Sequence, residues 1–151
     1  AIGVSDYCSA CLACLGAGAT VRPMVSNVQF HYGMGPDPQG ARSLAGRHGM
    51  ALMAWSPLGH GDGLARRALP VEVGKAHNKS GAQVALKWIL SHNATLTTKS
   101  ANPRHLAEDL DLFDWELTAA EVAAMDADQF ARSEYDTPSF LCNDPDAEMV
   151  V

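Results

Sequence analysis

Lys99 and Ser100 close the run Thr95–Thr98 and lead straight into Asn102-Pro103. The run reads as a strand, and Asn-Pro supplies an N-cap with proline at the first helical position. A strand ending in a cation and a hydroxyl, beside the free N–H groups of a helix start, makes an anion site, most naturally for phosphate. The competing reading is a solvated lysine and a turn serine. Trp55 ends another apolar run, where it is either a face for stacking a planar ring or a core aromatic. Cys8-x-x-Cys11-x-x-Cys14 has the spacing that opens a ferredoxin cluster motif. A cluster also needs a loop that wraps it and a fourth cysteine followed by proline; these three fall on a predicted helix and Cys142 is remote. They are read as small buried hydrophobes, and no metal site is expected. The six histidines are scattered, with no His-x-x-x-His pair among them.

Positioning such groups requires elements, and the chain alternates short apolar stretches with helical patterns, the signal of βα units around a parallel sheet. Ile2–Ser5, Met24–Phe30, Met50–Trp55 and Thr95–Thr98 read as strands. Met50–Trp55 is nearly all apolar, as expected of a strand covered on both faces. From Tyr7 to about Gly16 the positions Cys8, Cys11, Leu12 and Leu15 form a helical stripe, stopped by Gly16 and Gly18. Asp37-Pro38 opens a helix that Gly49 ends, and a short helix covers Val71–His77. Ser80 and Gln83 make a capping box for a helix with Ala82, Ala85, Leu86, Ile89 and Leu90 inward and Gln83, Lys87 and Ser91 outward. The Asn102-Pro103 helix carries Leu106 and Leu110, with Glu108-Asp109-Leu110-Asp111 expected as a solvated face. Thr118 and Glu121 cap a last helix reaching Ala127. The glycine-rich loop Pro57–Gly63 follows the third strand. Residues 1–131 are expected as one unit and 132–151, with Pro138 and Pro145, as an irregular tail.

Four strands each followed by a helix amount to half of an eight-stranded barrel, which complete needs roughly 250 residues. The two open edges of such a half should be covered by something. The remaining arithmetic excludes classes. Eleven basic against seventeen acidic residues give a net charge of −6, which argues against non-specific nucleic-acid binding and against an anionic membrane surface. No apolar run approaches the roughly eighteen residues of a spanning helix. The 151 residues match one domain of soluble composition, 47% hydrophobic and 19% charged. Four unevenly spaced cysteines point to a reducing compartment, cytoplasmic or an organelle lumen or stroma, rather than to a disulfide scaffold. The opening Ala1–Ser5 has no signal-peptide character and reads as the inside of a strand.

Five segments resemble one family in order and spacing: Gly3–Asp6, Val25–His31, Ala54–Gly59, Lys79–Trp88 and Lys99–Pro103. Together they resemble the C-terminal half of an aldo-keto reductase, from Ala1 to about Asp126. The resemblance implies a partial (β/α)8 TIM barrel, four βα units corresponding to strands 5–8 plus a C-terminal helix and tail, and reduction of carbonyls with NADPH. By that resemblance Ser5 and Asp6 match the Ser-Asn pair that holds the nicotinamide carboxamide, and Asn27 replaces a glutamine with the same task. Trp55 matches the ring on which nicotinamide stacks. Ser56 and Leu58 match pyrophosphate contacts, and Lys99 and Ser100 match the grip on the 2′-phosphate. His105 stands for an arginine over that phosphate, while Glu108 and Asp109 match the pair at the adenine.

Four of these positions depart from the family. Asp6 and Asp109 put acceptor-only carboxylates where amides stand, Asn27 is one methylene shorter, and His105 lacks arginine's permanent charge and bidentate fork. The family's tyrosine acid, aspartate, lysine and histidine sit on the first four βα units, and no catalytic residue carries over; Tyr7, Tyr32 and Tyr135 do not match the acid's place. Three readings follow. The chain is the nucleotide-binding half of an NADPH-dependent carbonyl reductase, an inactive reductase-derived structural or accessory subunit of a larger assembly, or, as the least favoured reading, a small cysteine-dependent redox or cluster-binding module. In the first two, the partner is an N-terminal half or another protein covering the open edges.

Overall fold

The computed structural model describes residues 1–61 and 63–130, with residues 9 and 10 as backbone only, so the tail from Arg132 lies outside the described residues. Its elements are β1 (Gly3–Ser5), α1 (Ser9–Gly18), β2 (Val25–Gln29), α2 (Ala41–Arg47), β3 (Ala51–Trp55), α3 (Ala68–His77), α4 (Gly81–Ser91), β4 (Ala94–Leu96), α5 (Pro103–Leu110) and α6 (Ala119–Ala127). The four strands form one parallel sheet in sequence order, β1-β2-β3-β4. Helices fill each parallel connection, as a crossover between parallel strands requires. Among the described residues, the outer edges of β1 and β4 pair with no further strand.

Strand alternation sorts the side chains. Val28, Leu52, Ala54 and Ala94 point to the helical layer and join Phe30, Val84, Ala85, Trp88 and Ile89 in the main core. The other face carries the in-register row Ser5, Asn27, Met53 and Thr95. There Ser5 and Thr95 are exposed and Met53 is half-buried, and its neighbour Ala51 is exposed. The expectation that β3 is covered on both faces is therefore corrected: the helices cover one face, and among the described residues no layer covers the other.

Three helices differ from their sequence readings. Helix α1 runs past Gly16 and ends at Gly18, so only the second of the two expected stops coincides with its end. Cys8 is its N-cap, buried, whereas Cys11 and Cys14 are exposed, which corrects the reading of three buried hydrophobes. Before α2, Gln39 and Gly40 take positive φ, so Asp37 cannot sit next to the helix. Its carboxylate instead reaches forward to the N–H groups of Arg42 and Ser43 at 2.8 and 3.1 Å. On α4 the predicted outward residues Gln83 and Lys87 are each only 4% exposed. The Gln83 amide donates to the carbonyls of Glu108 and Asp111, and Lys87 Nζ to the Leu112 carbonyl at 2.9 Å. Helix α4 is thus packed on the sheet along one side and against α5 and its exit loop along the other. By contrast, α5 buries no residue completely, and Leu110 and Phe113 are 76% and 75% exposed.

Candidate functional site

The C-terminal ends of β3 and β4, the loop after β3 and the start of α5 enclose a cavity of about 840 Å³. Seven of the predicted site residues line it: Ser56 and Leu58 from the loop, Lys99 and Ser100 after β4, and His105, Glu108 and Asp109 from α5. The loop follows this path because Ser56, Gly59 and His60 all adopt positive φ, with the Gly59 N–H closing on the Ser56 carbonyl at 2.9 Å. Strand β4 ends at Leu96, sooner than expected, although the Thr97 N–H still reaches the Ala54 carbonyl at 3.0 Å. Lys99 is exposed and Ser100 half-buried.

Part of the donor set expected at the predicted anion site is engaged within the chain. Asn102 does cap α5, its Oδ1 accepting from the Arg104 N–H at 3.0 Å. Its own N–H donates to Ser100 Oγ at 3.1 Å. Pro103 has no N–H. The Asn102 and Arg104 amides are therefore engaged with the chain itself, while the exposed Lys99 ammonium and the Ser100 hydroxyl proton can still meet an anion.

Nor is α5's acidic stretch simply solvated. Glu108 and Asp109 are half-buried. Glu108 accepts from Ser80 Oγ at 3.2 Å and pairs with Arg104 Nε at 3.0 Å. Asp111 accepts from Lys79 Nζ at 2.7 Å and from Gln83; the lysine hydrogen bond first, then that of Gln83, holds its carboxyl below the usual carboxylate range.

The remaining four candidates lie outside that cavity, at the ends of the first three strands. Asp6, at φ 53°, accepts from the Trp55 indole N–H at 3.1 Å through one oxygen and from Ser5 Oγ at 3.3 Å through the other. Trp55 is half-buried rather than core. Asn27, paired in register with Ser5, has a buried Oδ1 with no hydrogen-bond partner. A buried amide oxygen left unbonded costs on the order of 1–3 kcal/mol, so it marks a place where a donor is missing.

His60 was missed among the candidates. It lines the cavity, shares a hydrogen bond with Ser56 Oγ at 2.8 Å and meets the Trp55 ring edge-on at a centroid distance of 6.0 Å. The glycine-rich loop was the available signal. Among tyrosines, Tyr32 is fully buried and its hydroxyl donates to Asp128; burial first, then Asp128, pushes its pKa well up. It is a structural group. Among the described residues no cluster of histidine, cysteine or carboxylate side chains is arranged to hold a metal ion, and no helix is long and apolar enough to cross a membrane.

Against this geometry stand the comparisons. The profile of the aldo/keto reductase family matches residues 1–128. The chain is 34% identical over 128 residues to a 9,11-endoperoxide prostaglandin H2 reductase of Trypanosoma cruzi, covering 83% of this chain and 44% of that protein. It is 36% identical over 127 residues to the glyoxal reductase of Bacillus subtilis, covering 84% of this chain and 45% of that one. Among solved structures, Gox0644 in complex with NADPH superposes with a TM-score of 0.76 at 28% identity, over 85% of this chain and 46% of that chain. The aldose reductase of Schistosoma japonicum, at 20% identity and a TM-score of 0.79, shares the fold over 93% of this chain and 45% of its own. The chain thus spans less than half the length of these relatives. Its four-stranded parallel sheet is part of their barrel, and the chain belongs to the aldo/keto reductase family.

Proposed function

We propose that this chain supplies the nucleotide-binding half of an NADPH-dependent aldo-keto reductase acting on aldehyde or ketone carbonyls. The observation that carries the reading is the cavity at the C-terminal strand ends, where an (β/α)8 enzyme keeps its site, lined by Lys99, Ser100 and the loop after β3. The residues fit the nucleotide. Asn27 Oδ1, shielded and without a donor, suits a carboxamide N–H₂, with Ser5 beside it in register. Trp55 is half-buried, and its indole N–H bonds the Asp6 carboxylate, the residue that follows Ser5. Lys99 supplies the charge that distinguishes a nucleotide bearing a 2′-phosphate.

When bound, NADPH supplies the hydride. This chain's own residues hold and orient it: Trp55 gives the nicotinamide a wall, Asn27 and Ser5 fix its carboxamide, Ser56 and Leu58 flank the pyrophosphate, and Glu108 and Asp109 sit at the adenine. Asp6 keeps the indole in place through its N–H bond rather than donating to the cofactor. The proton for the carbonyl oxygen comes from a group outside these elements, on the complementary half of the barrel. That half, or another protein in its place, would pair the edges of β1 and β4 and cover the open face of the sheet. It would also cover the exposed Leu106, Leu110 and Phe113.

A second reading has its own support. Both Asp6 oxygens are engaged within the chain and cannot donate a hydrogen bond, which weakens the nicotinamide end and favours an inactive accessory subunit. NADPH oxidation with a reactive aldehyde separates the two. The 151-residue chain alone should show none, because none of its tyrosines matches the family's general acid, and the completed barrel should turn over. Turnover by the repurified chain alone would overturn the division of labour. Nucleotide binding without turnover in the completed barrel would establish the accessory role, and absence of binding would refute the cofactor site.

A further inference from the structure

We propose that Arg66 is a further nucleotide-binding residue, a permanent cation at the adenosine end of the cavity that favours NADPH over NADH. The inference rests on the nucleotide reading above and adds a residue to it, since Arg66 lies outside the five segments that carry the family pattern. Arg66 lines the cavity together with His60, Lys99, His105, Glu108 and Asp109. It ends a short 3-10 turn, Leu64–Arg66, that Gly63 opens at φ 78°. Two glycines seat that turn. Leu64 is buried and fills the space that a Cβ on Gly59 would need, and the Ala65 carbonyl does the same over Gly81, the first residue of α4. Ser80, the N-cap of α4, in turn bonds Glu108 at 3.2 Å. This chain of contacts links the Arg66 turn to Glu108 and Asp109, the pair assigned to the adenine.

The two consecutive arginines are used differently. Arg67 lays its guanidinium over Phe130, 3.8 Å from the ring centroid, and reaches Asp128 at 3.8 Å. Arg66 instead lines the cavity, and among the described residues its guanidinium has no carboxylate partner. Charge makes that difference matter. Glu108 is offset by Arg104 at 3.0 Å, which leaves the Asp109 carboxylate set against the Lys99 ammonium. His60 and His105 carry no permanent charge. With Lys99 alone, the wall would therefore present as much negative as positive charge to an anionic ligand. Arg66 supplies the surplus. Its planar fork suits a phosphate monoester and stays charged across the physiological range, which is what His105 lacks. Lys99 and Ser100 remain the main grip on the 2′-phosphate, and Arg66 adds to it.

The test is fluorescence titration of NADPH and NADH into the completed barrel, full-length or reconstituted from halves. The Arg66 side chain is exposed, so the fold should be kept. Exposed charge pairs are weak, so Arg66→Ala should lower NADPH affinity about fivefold and leave NADH nearly unchanged. Arg66→Lys keeps the charge and should retain most of the preference. Arg66→Glu should lower NADPH affinity further than alanine does, and added salt should shrink the effect of Arg66→Ala. Arg67→Ala removes the same charge one residue away and should leave the ratio of the two affinities unchanged. Three results would each overturn the role of Arg66: equal weakening of NADPH and NADH by Arg66→Ala, an equal fall in the ratio with Arg67→Ala, or no effect of Arg66→Ala while Lys99→Ala still weakens NADPH. Binding of neither nucleotide by the unsubstituted barrel would overturn the nucleotide reading of the cavity, and this inference with it.

Discussion

Replacing Lys99 by alanine tests the phosphate reading most directly. At the start of α5, the Asn102 amide is taken by Ser100 Oγ, the Arg104 amide by the Asn102 side chain, and residue 103 is proline. With those two amides engaged, the proposed phosphate grip draws mainly on the Lys99 ammonium and the Ser100 hydroxyl. A hydrogen bond to a charged group contributes roughly 1.5–3 kcal/mol, and solvent screening at an exposed lysine places this one at the lower end. About 1.4 kcal/mol corresponds to a tenfold change in affinity. Lys99→Ala should therefore weaken NADPH about tenfold while NADH, which lacks the 2′-phosphate, changes little. The side chain is exposed, so the fold should not suffer. Fluorescence titration of both nucleotides into the completed barrel, full-length or reconstituted from halves, reads the ratio. Equal weakening of NADPH and NADH, or no change in either, would refute the role of Lys99 and the donor inventory behind it.

Three other outcomes follow from the structure. The 151-residue chain should self-associate in sedimentation, because among the described residues the edges of β1 and β4 are unpaired beside an uncovered sheet face; a monomer with sharp cooperative unfolding would contradict this. His92 is buried between Asp126 and Arg42, and burial, against the pull of Asp126, holds its pKa below the ordinary value. The unfolded chain accepts a proton that the native state resists, so stability should be full above the ordinary histidine range and fall as pH drops through it. Urea unfolding at graded pH should show that decline, and His92→Gln should flatten it. Anaerobically purified protein should contain no stoichiometric iron or acid-labile sulfide, as the Cys8–Cys14 segment is a regular helix with its N-cap rather than a wrapping loop.

The succession of strands and helices was legible in the residues because its signals are local. The capping boxes Ser80/Gln83 and Thr118/Glu121 close within one turn, and their hydrogen bonds form wherever the segment is helical. Strand alternation and the Asn102-Pro103 start are local in the same sense, as are the five segments that carry the family pattern. They suffice for a half-barrel and for the cavity its loops enclose. What folding alone decided are contacts between residues far apart in the chain. Helical periodicity assigns Gln83 and Lys87 to an outer face, yet both are buried because the carbonyls of Glu108, Asp111 and Leu112 come to rest over them. No local pattern joins Asp6 to the Trp55 indole or leaves Asn27 Oδ1 without a donor; both follow from strands β1, β2 and β3 lying side by side in a particular register. Side-chain periodicity reports which way a residue points from its own helix or strand, but not what the rest of the chain places opposite it.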